Sequence, residues 1–183
     1  MQKILYVILF FAVVFILIYV FGQDYLPLQI RYGIEQQTVR GESMEPVLKD
    51  RQTISIDNKY YQTHEIKRND IVTVVFSWRE EPIVKFIRAV PGDTIILEEQ
   101  EDGNFYIIIN GKSILNSEEE PYSLTFAKSR MINLYAQEYK EKYNSKIPDN
   151  LYLVLGNQTS GTQDSTQFGL VERENIVGKV IGE

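Results

Sequence analysis

From Ile4 to Phe21 the chain runs for 18 consecutive residues without a charge. A helix of that length covers about 27 Å, close to the ~30 Å hydrocarbon core of a bilayer, and the run has no polar face. A cleavable secretory leader would have a shorter apolar region, roughly 7–15 residues, closed by small residues. This run is rich in Phe and Tyr and ends in Val20-Phe21-Gly22, so it predicts a retained transmembrane anchor over 4–22. Beyond it, apolar positions mostly alternate with polar ones or form short runs between turn residues, over 52–57, 70–78, 82–90, 93–98, 104–110, 151–155 and 175–181. Asp102-Gly103, between two of these runs, is a hairpin signal. Helical spacing shows only over 128–143, at Met131, Leu134, Tyr135 and Glu138. The pattern predicts a mainly β, mixed-strand domain over 23–183 with a minor helical segment.

Charge orients this layout. Lys3 and the N-terminal amine precede the apolar run and Asp24 is the first charge after it, so residues 1–3 are expected in the cytoplasm and 23–183 outside. The connector 23–39 reaches no further than ~60 Å even when extended, which keeps the Ser43 region near the membrane surface. The formal net charge is −6, an argument against a nucleic-acid partner. The acidic clusters at 98–102 and 118–120 read as solvated loops. There is no cysteine and one histidine, His64, which removes thiol nucleophiles, disulfides and His- or Cys-based zinc sites. No metal and no cofactor are expected, although carboxylate-only sites for hard cations stay open.

Two residues stand out chemically. In the strand 82–90, alternation puts Lys85 in one row with Ile83, Ile87 and Ala89, while Val84, Phe86, Arg88 and Val90 take the other face. Either its stem covers apolar surface while the amine snorkels to water, or burial lowers its pKa from ~10.4 towards 7–8 and leaves a neutral base. Such a base is what a serine nucleophile needs, because a free hydroxyl is weak and the Ser-His-Asp solution requires a histidine. His64 lies in a polar, surface-like stretch. Ser43, in Gly41-Glu42-Ser43-Met44-Glu45-Pro46, is the candidate nucleophile; alone it reads equally as a turn residue before proline.

These stretches together resemble the bacterial type I signal peptidases, membrane-anchored Ser-Lys serine proteases that remove signal peptides from exported proteins. The resemblance rests on the apolar run, Gly41 to Leu48, Lys67-Arg68-Asn69-Asp70-Ile71-Val72, Lys85 six residues before Pro91-Gly92-Asp93, Asn110-Gly111-Lys112, Glu120-Pro121-Tyr122, and the stretch from Gly156 to Val171. It implies Ser43 as nucleophile, with its backbone N–H in the oxyanion hole, and Lys85 as general base. It further implies that Thr162 orients the lysine amine and that Asp164 and Ser165 form an Asp-Ser pair behind the site. Val39, Met44 and Val84 would line shallow pockets for small residues at the first and third positions before the cleaved bond. Signal peptides of exported preproteins and membrane lipid are the implied partners, and the implied state is a monomer.

Several positions depart from the family's pattern. Phe86 stands where an Arg is usual, Asn157-Gln158-Thr159 where Asp-Asn-Arg is usual, and Thr166 where an Arg follows the Asp-Ser pair. These changes predict a thinned charged shell, with Asp164 deprived of its partner. They also motivate the alternative of a catalytically degenerate relative that binds exported proteins without cutting them. A self-cleaving Ser-Lys regulator fits the dyad but not the anchor.

Overall fold

The computed structural model describes residues 33–182 together with Ala12, Val13, Ile16 and Tyr19. Those four are helical and exposed; the rest of the expected anchor lies outside the described residues, among which no helix is long and apolar enough to cross a membrane. In chain order the strands are β1 (Ile34–Thr38), β2 (Thr53–Asp57), β3 (Ile71–Val74), β4 (Ile83–Ala89), β5 (Ile95–Glu99), β6 (Phe105–Ile109), β7 (Lys112–Ser113), β8 (Ser123–Leu124), β9 (Leu151–Leu155), β10 (Val171–Glu172) and β11 (Ile176–Gly182). The helices are α1 (Tyr60–Thr63), α2 (Phe126–Lys142) and α3 (Ser165–Phe168).

The larger sheet has the order β1-β2-β11-β3-β4-β9-β10, and the smaller one runs β5-β6-β7 with β8 also on β6. Every described pairing is antiparallel, so "mixed" does not extend to strand direction. The last strand, β11, inserts between β2 and β3. The C-terminal strand therefore joins the β1-β2 hairpin to the rest of the large sheet.

β4 sits inside that sheet and is buried on both faces. Ile83 and Ile87 pack with Val72, Val74 and Val154, whereas Val84 and Phe86 pack with Val39, Met44, Ile54 and Ile56. Two-sided burial is why the strand reads as a nearly continuous apolar run, and it makes a lysine in its middle conspicuous. A third cluster joins the small sheet to α2 through Ile95, Ile107, Leu124 and Ile132.

The mainly β expectation holds, with local corrections. The strand at 151–155 matches to the residue, and the helix starts two residues earlier than expected. Its buried face is Ser129, Ile132 and Ala136 rather than the row through Leu134, which is 62% exposed. The strand expected over 70–78 stops at Val74, after which Phe76 stacks on Trp78 at a ring separation of 4.9 Å and meets Phe168 edge to face at 4.8 Å. The connector 23–39 contains an unpredicted edge strand, β1, whose sequence IEQQT is mostly exposed. An edge strand flanking open space needs few apolar residues, so periodicity carries little trace of it. Two-residue strands such as β7, β8 and β10 are too short to show any period. In the acidic cluster at 98–102, Glu98 and Glu99 belong to β5 and are exposed.

Candidate active site

Ser43 lies in the turn that follows β1 and Val39. Hydrogen bonds from Glu45 N to Glu42 O at 3.0 Å and from Leu48 N to Met44 O at 3.0 Å hold that turn. β4 brings Lys85 against it. The Lys85 Nζ lies 2.7 Å from Ser43 Oγ and 3.0 Å from the carbonyl of Val84. Lys85 is 4% exposed, so its amine does not snorkel to water. Burial pushes its pKa down to about 8; the charge of Asp164 works in the opposite direction, and Arg79 adds to the depression. At that value roughly a tenth of the amine is neutral at pH 7. The Ser43 N–H makes no hydrogen bond to another described residue, while the Gly41 N–H is taken by Asp50 Oδ1 at 2.8 Å.

The loop after β9 clamps the serine turn. Ser43 O accepts from the N–H groups of Asn157 at 2.7 Å and Gln158 at 3.0 Å. Two residues on, Glu45 O accepts from Asn157 Nδ2 at 2.7 Å and Gln158 Nε2 at 2.9 Å. Asn157 is fully buried and completes its amide with Ser117, donating to its Oγ at 2.8 Å and accepting from its N–H at 2.9 Å. Gly156 is demanded by this approach: a Cβ there would stand 2.7 Å from Ser43 O and from Thr162 Oγ1. Asn157 and Gln158 thus form a clamp that the sequence alone did not reveal, since its partners are more than 110 residues away in the chain.

Asp164 corrects the expectation of a deprived carboxylate. It is fully buried and caps α3. Its Oδ2 accepts from Tyr122 Oη at 3.0 Å, Gly156 N at 3.0 Å and Thr162 Oγ1 at 3.1 Å. Its Oδ1 accepts from Thr166 N at 3.0 Å and Thr166 Oγ1 at 2.7 Å. Thr166, standing where an arginine is usual, supplies two of these bonds. Burial and the neighbouring Asp164 raise the Tyr122 pKa, which keeps its hydroxyl a donor. Thr162 is buried beside the dyad, but its hydroxyl bonds Asp164; no hydrogen bond joins it to Lys85. Ser165 Oγ accepts from Val154 N at 3.0 Å and ties α3 to β9. His64 is exposed and stacks on Tyr60.

A cleft of about 710 Å³ opens beside the pair, and Val39, Met44 and Val84 line it together with Ser43 and Lys85. Across its rim Arg40 pairs with Glu81, and Arg79 bonds Gln163 and the carbonyl of Glu81. Phe86 packs into the apolar cluster behind Val84, with the Arg88 guanidinium 4.2 Å over its ring. No group of three or more His, Cys, Asp or Glu that could hold a metal occurs among the described residues.

The sequence profile of the family described as signal peptidase, peptidase S26, matches residues 3–182. Signal peptidase IB of Staphylococcus aureus (strain COL) is 28% identical, across 98% of this chain and 88% of that one. Signal peptidase I of Bacillus caldolyticus is 29% identical, across 78% of this chain and 74% of that one. Among solved structures, a signal peptidase I from Enterococcus faecalis V583 aligns with a TM-score of 0.42 at 23% identity, covering 64% of this chain and 98% of that one. A profile match over nearly the whole length is decisive: the chain belongs to the signal peptidase family, peptidase S26, and is a serine endopeptidase of the bacterial type I class.

Proposed function

We propose that this protein is a membrane-anchored endopeptidase that removes signal peptides from exported preproteins, with Ser43 as nucleophile and Lys85 as general base. The observation that carries the reading is the 2.7 Å separation between Lys85 Nζ and Ser43 Oγ in a site where the lysine is 4% exposed. The neutral amine takes the Ser43 proton as Oγ attacks the scissile carbonyl, and the resulting ammonium passes that proton to the departing amine. Water then attacks the acyl-enzyme ester, again losing its proton to Lys85, and the ammonium returns that proton to Oγ as the ester C–O bond breaks and the acid product leaves. The Ser43 N–H, which has no hydrogen-bond partner among the described residues, is the backbone donor proposed for the oxyanion; removing a comparable donor costs about 10²–10³ in rate. Thr162, Asp164 and Ser165 support this centre from behind.

The substrate lies extended along the cleft, with small side chains at the first and third positions before the cut facing Val39, Met44 and Val84. Among the described residues β1 is an edge strand, to which peptide backbone can add. Residues 4–22 would hold the chain in the membrane as a single span, with 1–3 cytoplasmic and 23–183 outside.

Detergent-solubilised protein is expected to cleave a preprotein after a small-x-small sequence, and Ser43→Ala and Lys85→Ala to abolish cleavage. Full activity in either variant overturns the dyad. Because the chain has no cysteine, Gln2→Cys and Glu118→Cys report topology by impermeant thiol labelling. Labelling of position 118 but not of position 2 in intact cells is the expected result.

A further inference from the structure

The floor of the cleft holds a polar group that the Ser-Lys chemistry does not use. Thr73, in β3, is 3% exposed and lines the cleft, yet its Oγ1 is buried without a hydrogen-bond partner. The other such side-chain atom among the described residues, Nε of Arg88, does not line the cleft. Register fixes where the hydroxyl points. Thr73 pairs directly with Val84 of β4, so both project from the same face of the sheet, the face carrying Val39, Met44 and Ile56.

On its other flank Thr73 pairs with Gly178 of β11. A Cβ at position 178 would stand 2.5 Å from Ile56 Cγ2, so the side chain of Ile56 lies over a glycine, and the neighbouring β11 residue Val177 also lines the cleft. Ile56, Thr73 and Val84 thus form a row beneath the cleft with a hydroxyl between two apolar neighbours.

A buried hydroxyl with no partner is unfavourable, and buried polar groups nearly always find one. An apolar side chain would seal the orphan in place. A serine side chain brings an Oγ that both donates and accepts within a volume close to alanine's. We infer that one of the two small-residue pockets has a hydroxyl-bearing floor, made by Thr73, that selects serine in the substrate. This rests on the endopeptidase reading and narrows its substrate class: exported chains with serine at the first or third position before the cut.

The test uses the full-length protein in detergent with matched peptides carrying serine or 2-aminobutyrate, which replaces the hydroxyl by a methyl, at each position in turn. In the wild type, kcat/KM is expected to favour serine by about tenfold at one of the two positions. Thr73→Val, of the same shape, is expected to bring that ratio to about one, and Thr73→Ser to retain it. The ratio is internal to each variant, so a general loss of activity does not disturb it. A wild-type ratio near one at both positions, or an unchanged ratio in Thr73→Val, overturns the proposal while leaving the endopeptidase reading intact. Absence of cleavage of all peptides, alanine ones included, overturns both.

Discussion

Lys85 and Asp164 are two buried ionisable groups of one site, and the fold treats them in opposite ways. Lys85 has two hydrogen-bond contacts, one of them the serine hydroxyl. Asp164 has five, from two backbone amides and three hydroxyl groups. A cation buried with too few partners is pushed toward its neutral form, which is what a base requires. A carboxylate surrounded by donors becomes a strut, and its neighbours are held by it. Burial depresses the lysine pKa because little around it replaces the lost water, whereas the five donors around Asp164 tie Tyr122, Gly156, Thr162 and Thr166 together.

Breaking the reactive member should give the largest effect. Lys85→Met is expected to lower kcat by about 10⁴ or more with KM little changed, measured on a preprotein peptide, because the proposed general base is lost. Asp164→Asn should strike stability instead. Either orientation of the amide turns its NH₂ toward a backbone N–H, of Gly156 or of Thr166. A loss of about 2–4 kcal/mol in chemical unfolding is expected.

The lysine's depressed pKa adds a stability signature with a definite sign. Between about 8 and 10.5 the unfolded lysine still binds a proton that the folded one has released. Wild-type stability should therefore rise through that window relative to Lys85→Met, by up to about 3 kcal/mol, with the burial penalty fully present below pH 8. The same value predicts that kcat/KM climbs about tenfold per pH unit below about 8 and levels above it.

The clamp lies between the two extremes. Asn157→Asp would set a carboxylate oxygen against Glu45 O, which now accepts from the amide at 2.7 Å. A fall in kcat of about 10–100-fold is expected, with KM and the pH profile kept, since serine placement and not proton chemistry is disturbed. The smallest effect is at the surface: Glu138→Ala removes the exposed pair with Lys142 on α2. It should shift stability by less than about 0.5 kcal/mol, and activity not at all.

Much of this site was legible from local pattern. Lys85 in an apolar row, a serine in a turn and a strand ending at Pro91-Gly92 all follow from alternation and turn chemistry, and β9 was readable to the residue because five apolar residues in a row leave little choice. Positions that looked like losses were misread for a physical reason. Asn157, Gln158 and Thr166 lack charge, and charge is what a sequence displays. Their amides and hydroxyls take their value from acceptors far along the chain, or from a carboxylate whose other partners come from Tyr122 and Gly156. β1 was missed because an edge strand beside a cleft has little to bury.

By itself, then, the sequence determined the strand-rich domain, the apolar N-terminal run and the identities of a serine and a lysine fit for paired chemistry, because periodicity and side-chain type are local properties. Only the tertiary structure decided that Lys85 loses its water, that Ser43 stands 2.7 Å from it, that Asp164 is saturated with donors and that Thr73 is not. Desolvation and hydrogen-bond supply depend on which distant strands become neighbours. That neighbourhood exists only once β11 has joined β2 to β3.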